Sequence, residues 1–354
     1  MNPLKEKILR LIALTGPIGI AQYMRLALSE PEHGYYMRGD PLGRDFITAP
    51  EVSQIFGELI GLFFVQAWED RGRPERFHLV ELGPGRGTLM ADILRASRIR
   101  QGFKDAANIV LVETSPALRE KQEQALRGEN VSWVDDLESI ADGAPLFAVA
   151  NEFVDALPAH QFVKSERGWH ARVVVANGES LQFALTPDAV PPDFVPAEFR
   201  DAQPGAVFEL GSEARFFTRY LAEHVVASRG AALIIDYGHG ETALGDTFQA
   251  IKAHGYADPL SEPGEADLTF HVDFAALRQA AEESGARVFG PIPQGTFLER
   301  LGIGARGEML KRASPSSAAE IAAAIDRLTS PAQMGTLFKV LALAPPDGPA
   351  LPGF

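Results

Sequence analysis

Glu81, Gly83, Gly85 and Gly87 alternate in the stretch His78-Leu79-Val80-Glu81-Leu82-Gly83-Pro84-Gly85-Arg86-Gly87-Thr88. An apolar run precedes the glycines, and the helical pattern Leu89-Met90-Ala91-Asp92-Ile93-Leu94 follows them. This predicts a strand, a tight turn and a helix. Gly83 permits a backbone conformation that side chains resist, while Gly85 and Gly87 let a ligand or a packed strand come close. The N–H groups opening the helix suit a negative group. A Walker-type phosphate loop is excluded because no lysine follows Gly87, and a G-x-G-x-x-G dinucleotide turn would need glycine where Thr88 stands.

Further acids follow at the ends of apolar runs. Glu113 closes Asn108-Ile109-Val110-Leu111-Val112, and a carboxylate there can accept both hydroxyl hydrogens of a ribose. Asp135 or Asp136, beside Trp133, stands where an adenine amino group would be met, and the sequence leaves the choice between them open. Asn151, Glu152 and Asp155 place an amide and two acids within five positions, able to hold a cationic or polar nucleophile. The alternative is that Asn151 caps a following helix. His271 is a candidate base, and a lone histidine can equally be a cap or a core partner. Tyr35, Tyr36, Asp45, Thr48 and Glu51 are candidates for a lid or for plain loop structure.

The elements that must position these residues follow from the apolar pattern. Runs at 79–82, 109–112, 131–134, 146–149 and 231–235 alternate with helical stretches, which predicts an α/β fold with a mostly parallel, doubly wound sheet. In such sheets ligands sit beyond the carboxyl ends of the strands. Those ends carry Glu81, Glu113, Asp135, Asn151-Glu152 and Asp236. From Glu51 one long helix is expected, with Ile55, Phe56, Leu59, Ile60, Phe63 and Phe64 facing the core. Gln161–Lys164 and His170–Val175 flank Glu166-Arg167-Gly168 as a hairpin, and residues 240–270 read as loop-rich. A closing strand pair is expected at 286–289 and 336–343.

The chain has 354 residues, 46% of them hydrophobic, and a net charge of −14. That charge argues against non-specific nucleic-acid binding and allows a basic partner. With no cysteine, disulfides, thiolate metal sites and thiol nucleophiles are excluded. The histidines show no H-x-x-x-H or H-E-x-x-H spacing, so no metal site is expected. No stretch approaches the ~20 apolar residues of a membrane span.

The spelling Glu81-x-Gly83-x-Gly85-x-Gly87 resembles motif I of the class I S-adenosylmethionine (SAM) methyltransferases. A wider resemblance is carried by Glu30-Pro31-Glu32-His33-Gly34-Tyr35-Tyr36 and by Asp45 to Glu58. Asn151 to Pro158, Ile235-Asp236-Tyr237-Gly238 and Asp267 to Phe274 extend it in the same order. Together these are similar to the MidA-like SAM-dependent methyltransferases, over residues 10 to 345. The resemblance implies a class I methyltransferase fold with a Rossmann-like, seven-stranded sheet. It implies SAM as cofactor, held by Glu81, Gly83, Gly85, Gly87, Glu113 and Asp135. Asn151, Glu152, Asp155 and His271 are then the catalytic candidates. Residues 1–74 are expected to form an N-terminal helical region with a lid loop, 75–159 and 216–354 the cofactor-binding core, and 160–215 an insertion over the active site.

The family's mitochondrial member, the complex I assembly factor 7, methylates a protein arginine. Arginine methylation of a protein, extending to a respiratory complex I subunit, is therefore the implied activity. The double-glutamate loop of the better-known arginine methyltransferases is not spelled here, and Glu152 with Asp155 is the expected substitute. Methylation of a small molecule and a SAM-binding assembly role without turnover are the alternatives. Because the mitochondrial relatives carry import sequences and this chain begins almost directly at the family region, a bacterial enzyme of the cytoplasm is expected.

Overall fold

The apolar runs become the strands of one sheet. The computed structural model describes residues 2–39, 47–140 and 143–354. Asp45, expected in a lid, lies outside the described residues. The chain divides into two units, one made of Ile47–Val154, Phe217–Gly240 and Phe274–Phe354, the other of Met1–Phe46, Asp155–Phe216 and Glu241–Asp273.

The first unit holds strands β1 (Phe77–Leu82), β2 (Ala107–Val112), β3 (Val131–Val134), β4 (Leu146–Asn151), β5 (Ala231–His239), β6 (Arg287–Pro293) and β7 (Phe338–Ala344). Their order across the sheet is β6-β7-β5-β4-β1-β2-β3. Neighbours from β5 through β3 run parallel, and β7 runs antiparallel to both β5 and β6. The order reverses between β4 and β1, the place where doubly wound sheets bind ligands. Register levels the strand ends there: Leu82 lies opposite Val112 on one side and Ala150 on the other, and Asn151 lies opposite Ile235. Gly83, Glu113, Asn151 and Asp236 are thereby brought to one edge.

Helices α1 (Ala49–Val52), α2 (Gln54–Asp70), α3 (Thr88–Ser97) and α4 (Pro116–Ala125) complete the part of this unit that bears on the site. The single helix expected from Glu51 is broken at Ser53, which adopts an extended backbone and accepts the Ile55 N–H with its side chain. A serine cap explains the break, because its hydroxyl satisfies a donor that a continuous helix would have satisfied itself. The apolar face of α2 is core as expected, with Ile55, Phe56, Leu59, Ile60, Phe63 and Phe64 all buried. Each such side chain stabilises the fold by roughly 2 kcal/mol relative to exposure. A β-carbon added to Gly57 would lie 2.5 Å from the Asp92 Cβ, and one on Gly61 would lie 2.9 Å from the Ile93 carbonyl oxygen. Only glycine allows α2 to approach α3 this closely. Beside this contact the buried Glu58 carboxylate receives guanidinium groups from Arg95 and Arg306.

The second unit packs helices Pro3–Thr15 and Ile20–Ser29 around Leu4, Ile8, Ile12, Tyr23, Met24 and Val174. The expected hairpin is present, with strands His160–Ser165 and Gly168–Asn177 flanked by Val207–Leu210 and Ser180–Leu185. The stretch 240–270, expected to be loop-rich, also contains a small antiparallel sheet of Gln249–Lys252, Gly255–Ala257 and Asp267–Thr269. The grouping of the chain also differs from the boundaries expected. The long helix α2 belongs with the sheet unit, because its aromatic face is part of the core around Phe77 and Phe147. Residues 241–273 join the other unit, where Leu260, Leu268 and Phe270 are buried. Among the described residues no helix is long and apolar enough to cross a membrane.

Candidate active site

The turn after β1 is built by its glycines. Gly83, Gly85 and Gly87 all have left-handed backbones, with φ of +63°, +52° and +79°. L side chains resist that region. A β-carbon on Gly83 would also lie 2.7 Å from a ring carbon of Phe153. Gly87 is the N-cap of α3, so the chain turns from strand to helix without a side-chain cap. Thr88, the first residue of the helix, donates its hydroxyl to Glu51 at 2.6 Å, and Arg86 approaches the same carboxylate at 3.9 Å. Glu51, expected as a lid residue, is thus tied to the glycine turn.

Glu81 is buried at the end of β1. The Met90 N–H in the first turn of α3 donates to its carboxyl, while Oε2 has no partner among the described residues. Burial pushes this carboxyl up to about 8, partly offset by the Met90 donor, so it is largely protonated at neutral pH.

Glu113 follows β2 with only 9% of its surface exposed. Oε1 accepts from the Ser115 N–H at 2.8 Å, and Oε2 accepts from the Gln122 side chain at 3.1 Å. Burial raises this carboxyl above its ordinary range, against the pull of those donors and of the Arg119 guanidinium. Gln122, on α4 and fully buried, also donates to the Gly85 carbonyl at 2.8 Å and accepts from the Trp133 indole at 2.8 Å. The sequence reading missed Gln122. The signal was its position four residues after Leu118, since these two are the buried residues of α4.

The two acids after β3 are placed differently from Glu113. Asp135 has a side chain 77% exposed and pairs with Arg119 at 2.7 Å. Asp136 accepts the backbone N–H of Ser139 and its hydroxyl. Among the described residues Asp135 is joined to the glycine edge through Arg119, which also donates to the Glu113 carbonyl at 2.8 Å.

At the end of β4, Asn151 is buried and its Oδ1 has no partner among the described residues. Its amide nitrogen lies 3.3 Å from Glu152 Oε1. No helix follows, so Asn151 caps none. Glu152 adopts a left-handed backbone with φ of +50°, a strain of about 1–2 kcal/mol for a residue with a side chain. Its carboxylate accepts the Ala49 N–H at 2.7 Å, and its own N–H donates to the Ile235 carbonyl at 2.9 Å. Asp236, fully buried on β5, accepts from Phe153 and Val154 and thereby fixes the turn beyond Asn151.

Asp155 and His271 belong to the second unit. Asp155 is buried, and its carbonyl accepts the Phe270 N–H at 3.0 Å. The His271 N–H donates to the Thr247 hydroxyl at 3.0 Å, and Thr247 is itself bonded to Glu209. In the same unit Tyr36 donates to Asp267 at 2.7 Å, and burial together with that carboxylate holds its phenol well above the ordinary value. The sheet unit therefore brings together Glu81, the three glycines, Glu113, Asn151 and Glu152.

This edge suits a SAM-sized ligand. A left-handed turn leaves its main chain bare, a nearly buried carboxylate stands one strand away, and an amide oxygen with no partner among the described residues stands at the next strand on the other side. The same conclusion comes from comparison with known proteins. A model of S-adenosyl-L-methionine-dependent methyltransferases matches residues 59–292. Protein arginine methyltransferase NDUFAF7, mitochondrial, from Mus musculus is 39% identical, with 98% of this chain and 85% of that protein covered. The Homo sapiens protein of that name is 37% identical, with 98% and 84% covered. Among solved structures, a COG1565 superfamily member from Burkholderia thailandensis bound to S-adenosyl-homocysteine superposes with a TM-score of 0.88. It is 30% identical and covers 99% of this chain and 94% of its own. The chain belongs to the MidA-like family of SAM-dependent methyltransferases.

Proposed function

We propose that this methyltransferase modifies a guanidinium nitrogen of a protein arginine, and that the acceptor is held by Asn151 and Glu152. The observation that carries the reading is the buried Asn151 Oδ1, without a partner among the described residues, next to a carboxylate on a strained backbone. Leaving a buried acceptor unsatisfied costs roughly 1–3 kcal/mol, which an arriving N–H donor would offset. When bound, SAM supplies a methyl group on a sulfonium sulfur and leaves as S-adenosylhomocysteine.

Asn151 Oδ1 accepts an N–H of the acceptor and so fixes the plane of the guanidinium. Glu152 supplies the countercharge and takes the proton that the nitrogen loses as its new N–C bond forms. Much of the acceleration then comes from alignment. The relatives named as protein arginine methyltransferases support a protein substrate, and the net charge of −14 suits a basic one. We extend the reading to a subunit of respiratory complex I on the resemblance to the assembly factor.

Incubation of the pure protein with methyl-labelled SAM and a lysate of its own cells tests this. A labelled protein band that yields methylarginine on hydrolysis is the expected result. Label confined to small molecules would overturn the protein substrate, and label on a residue other than arginine would overturn the guanidinium.

A further inference from the structure

We infer that Gln122 is a positioning residue for the cofactor, orienting the Glu113 carboxylate and the glycine turn through one side-chain amide. The inference rests on Glu113 being the acid that meets the ribose. Both hydrogens of Gln122 Nε2 are engaged, one with the Gly85 carbonyl and one with Glu113 Oε2, and Oε1 receives the Trp133 indole N–H. The amide has one orientation only. Turned over, Oε1 would face a carbonyl and a carboxylate, two acceptors, and the NH2 group would face the indole N–H. Trp133 therefore sets the direction of the amide from β3, and the amide sets the carboxylate of β2 and the turn after β1. The backbone of Gln122 also backs the turn, since a β-carbon on Gly87 would lie 3.4 Å from its Cα.

Such a bridge has a consequence that packing alone would not have. Glu113 is nearly buried, which raises its carboxyl, and four donors pull it back down: the N–H groups of Ser115 and Thr114, the Gln122 amide and the Arg119 guanidinium, itself paired with Asp135. Without the Gln122 donor the carboxylate loses a partner and gains a proton more readily. The affinity for the cofactor should then fail from the acid side first.

The test compares Gln122→Met, which keeps the length and removes all three hydrogen bonds, with Trp133→Phe, which removes only the bond that orients the amide. Calorimetric titration of the full chain with S-adenosylhomocysteine at pH 6 to 9 gives the affinity and its pH profile. Gln122→Met should weaken binding by about 10-fold at pH 7, one to two hydrogen bonds' worth. The acidic limb of its profile should move to higher pH. Trp133→Phe should act in the same direction by about 2- to 3-fold, so the inference stays testable if Gln122→Met does not fold. A lowered melting temperature with unchanged affinity and an unchanged pH profile in either folded variant would overturn it, leaving Gln122 a packing residue. Glu113→Gln, measured alongside, separates the two failures. Should that variant bind like the wild type, the ribose assignment itself falls.

Discussion

At the end of β2, Glu113 is met by donors from its own loop and from α4, on a backbone free of left-handed strain. At the end of β4, two strands away, Glu152 sits on a left-handed backbone beside an amide oxygen with no partner among the described residues. Both are carboxylates at the carboxyl edge of one sheet, and their surroundings differ in kind. The first is already engaged by donors of its own unit, as would suit the ribose-binding role proposed for it. The second is held in tension, as would suit the acceptor-holding role proposed for it. On those proposed roles, preorganisation of one and incompleteness of the other would separate binding from transfer.

That separation can be broken by substitution. Glu113→Gln should weaken S-adenosylhomocysteine by on the order of 100-fold, because bonds to a charged group are lost, with turnover at saturating SAM largely kept. A fall in kcat without a change in Kd would reverse the roles assigned to the two ends. Asn151→Ala should do the opposite, lowering kcat by roughly 10- to 50-fold while calorimetry finds the cofactor affinity within about 2-fold.

Glu81 sharpens the comparison from the strand between them. Its carboxyl is raised to about 8 in the folded protein against 4.5 ordinarily, so its contribution to stability is full below about 4.5 and is lost as pH rises through about 8. Glu81→Gln should melt like the wild type near pH 4.5 and exceed it by roughly 4 kcal/mol at pH 8. A gap that does not widen with pH would show that Glu81 is ionised throughout. The smallest effect expected is on the backbone of Glu152. Glu152→Gly and Glu152→Ala both remove the carboxylate, yet the glycine variant should be the more stable by about 1 kcal/mol in chemical denaturation. Equal stability would mean that the left-handed turn stores no strain.

Much of this organisation could be read from residue order. Parallel strands buried on both faces spell continuous apolar runs, so β1, β2, β4 and β5 and the acids at their ends were visible, and the glycines marked the turn. The break at Ser53 was not, because apolar spacing continues through it and only the serine hydroxyl interrupts the helix. The strands at 249–252, 255–257 and 267–269 are too short to carry a period. Exposure separates Glu113 from Asp135, yet both are acids after an apolar run and spell alike. Gln122 hid as one polar residue in a charged helix, though its spacing from Leu118 placed it inward.

The close approach of α2 and α3 at Gly57 and Gly61 has a consequence for how the molecule opens. With the two backbones nearly touching, α3 cannot swing out or fray without parting the aromatic core of α2. The amides of residues 92–94 should therefore exchange with deuterium only through unfolding of the whole sheet unit, while those of the second unit follow their own clock. The glycine turn would then rest on a helix that does not melt locally.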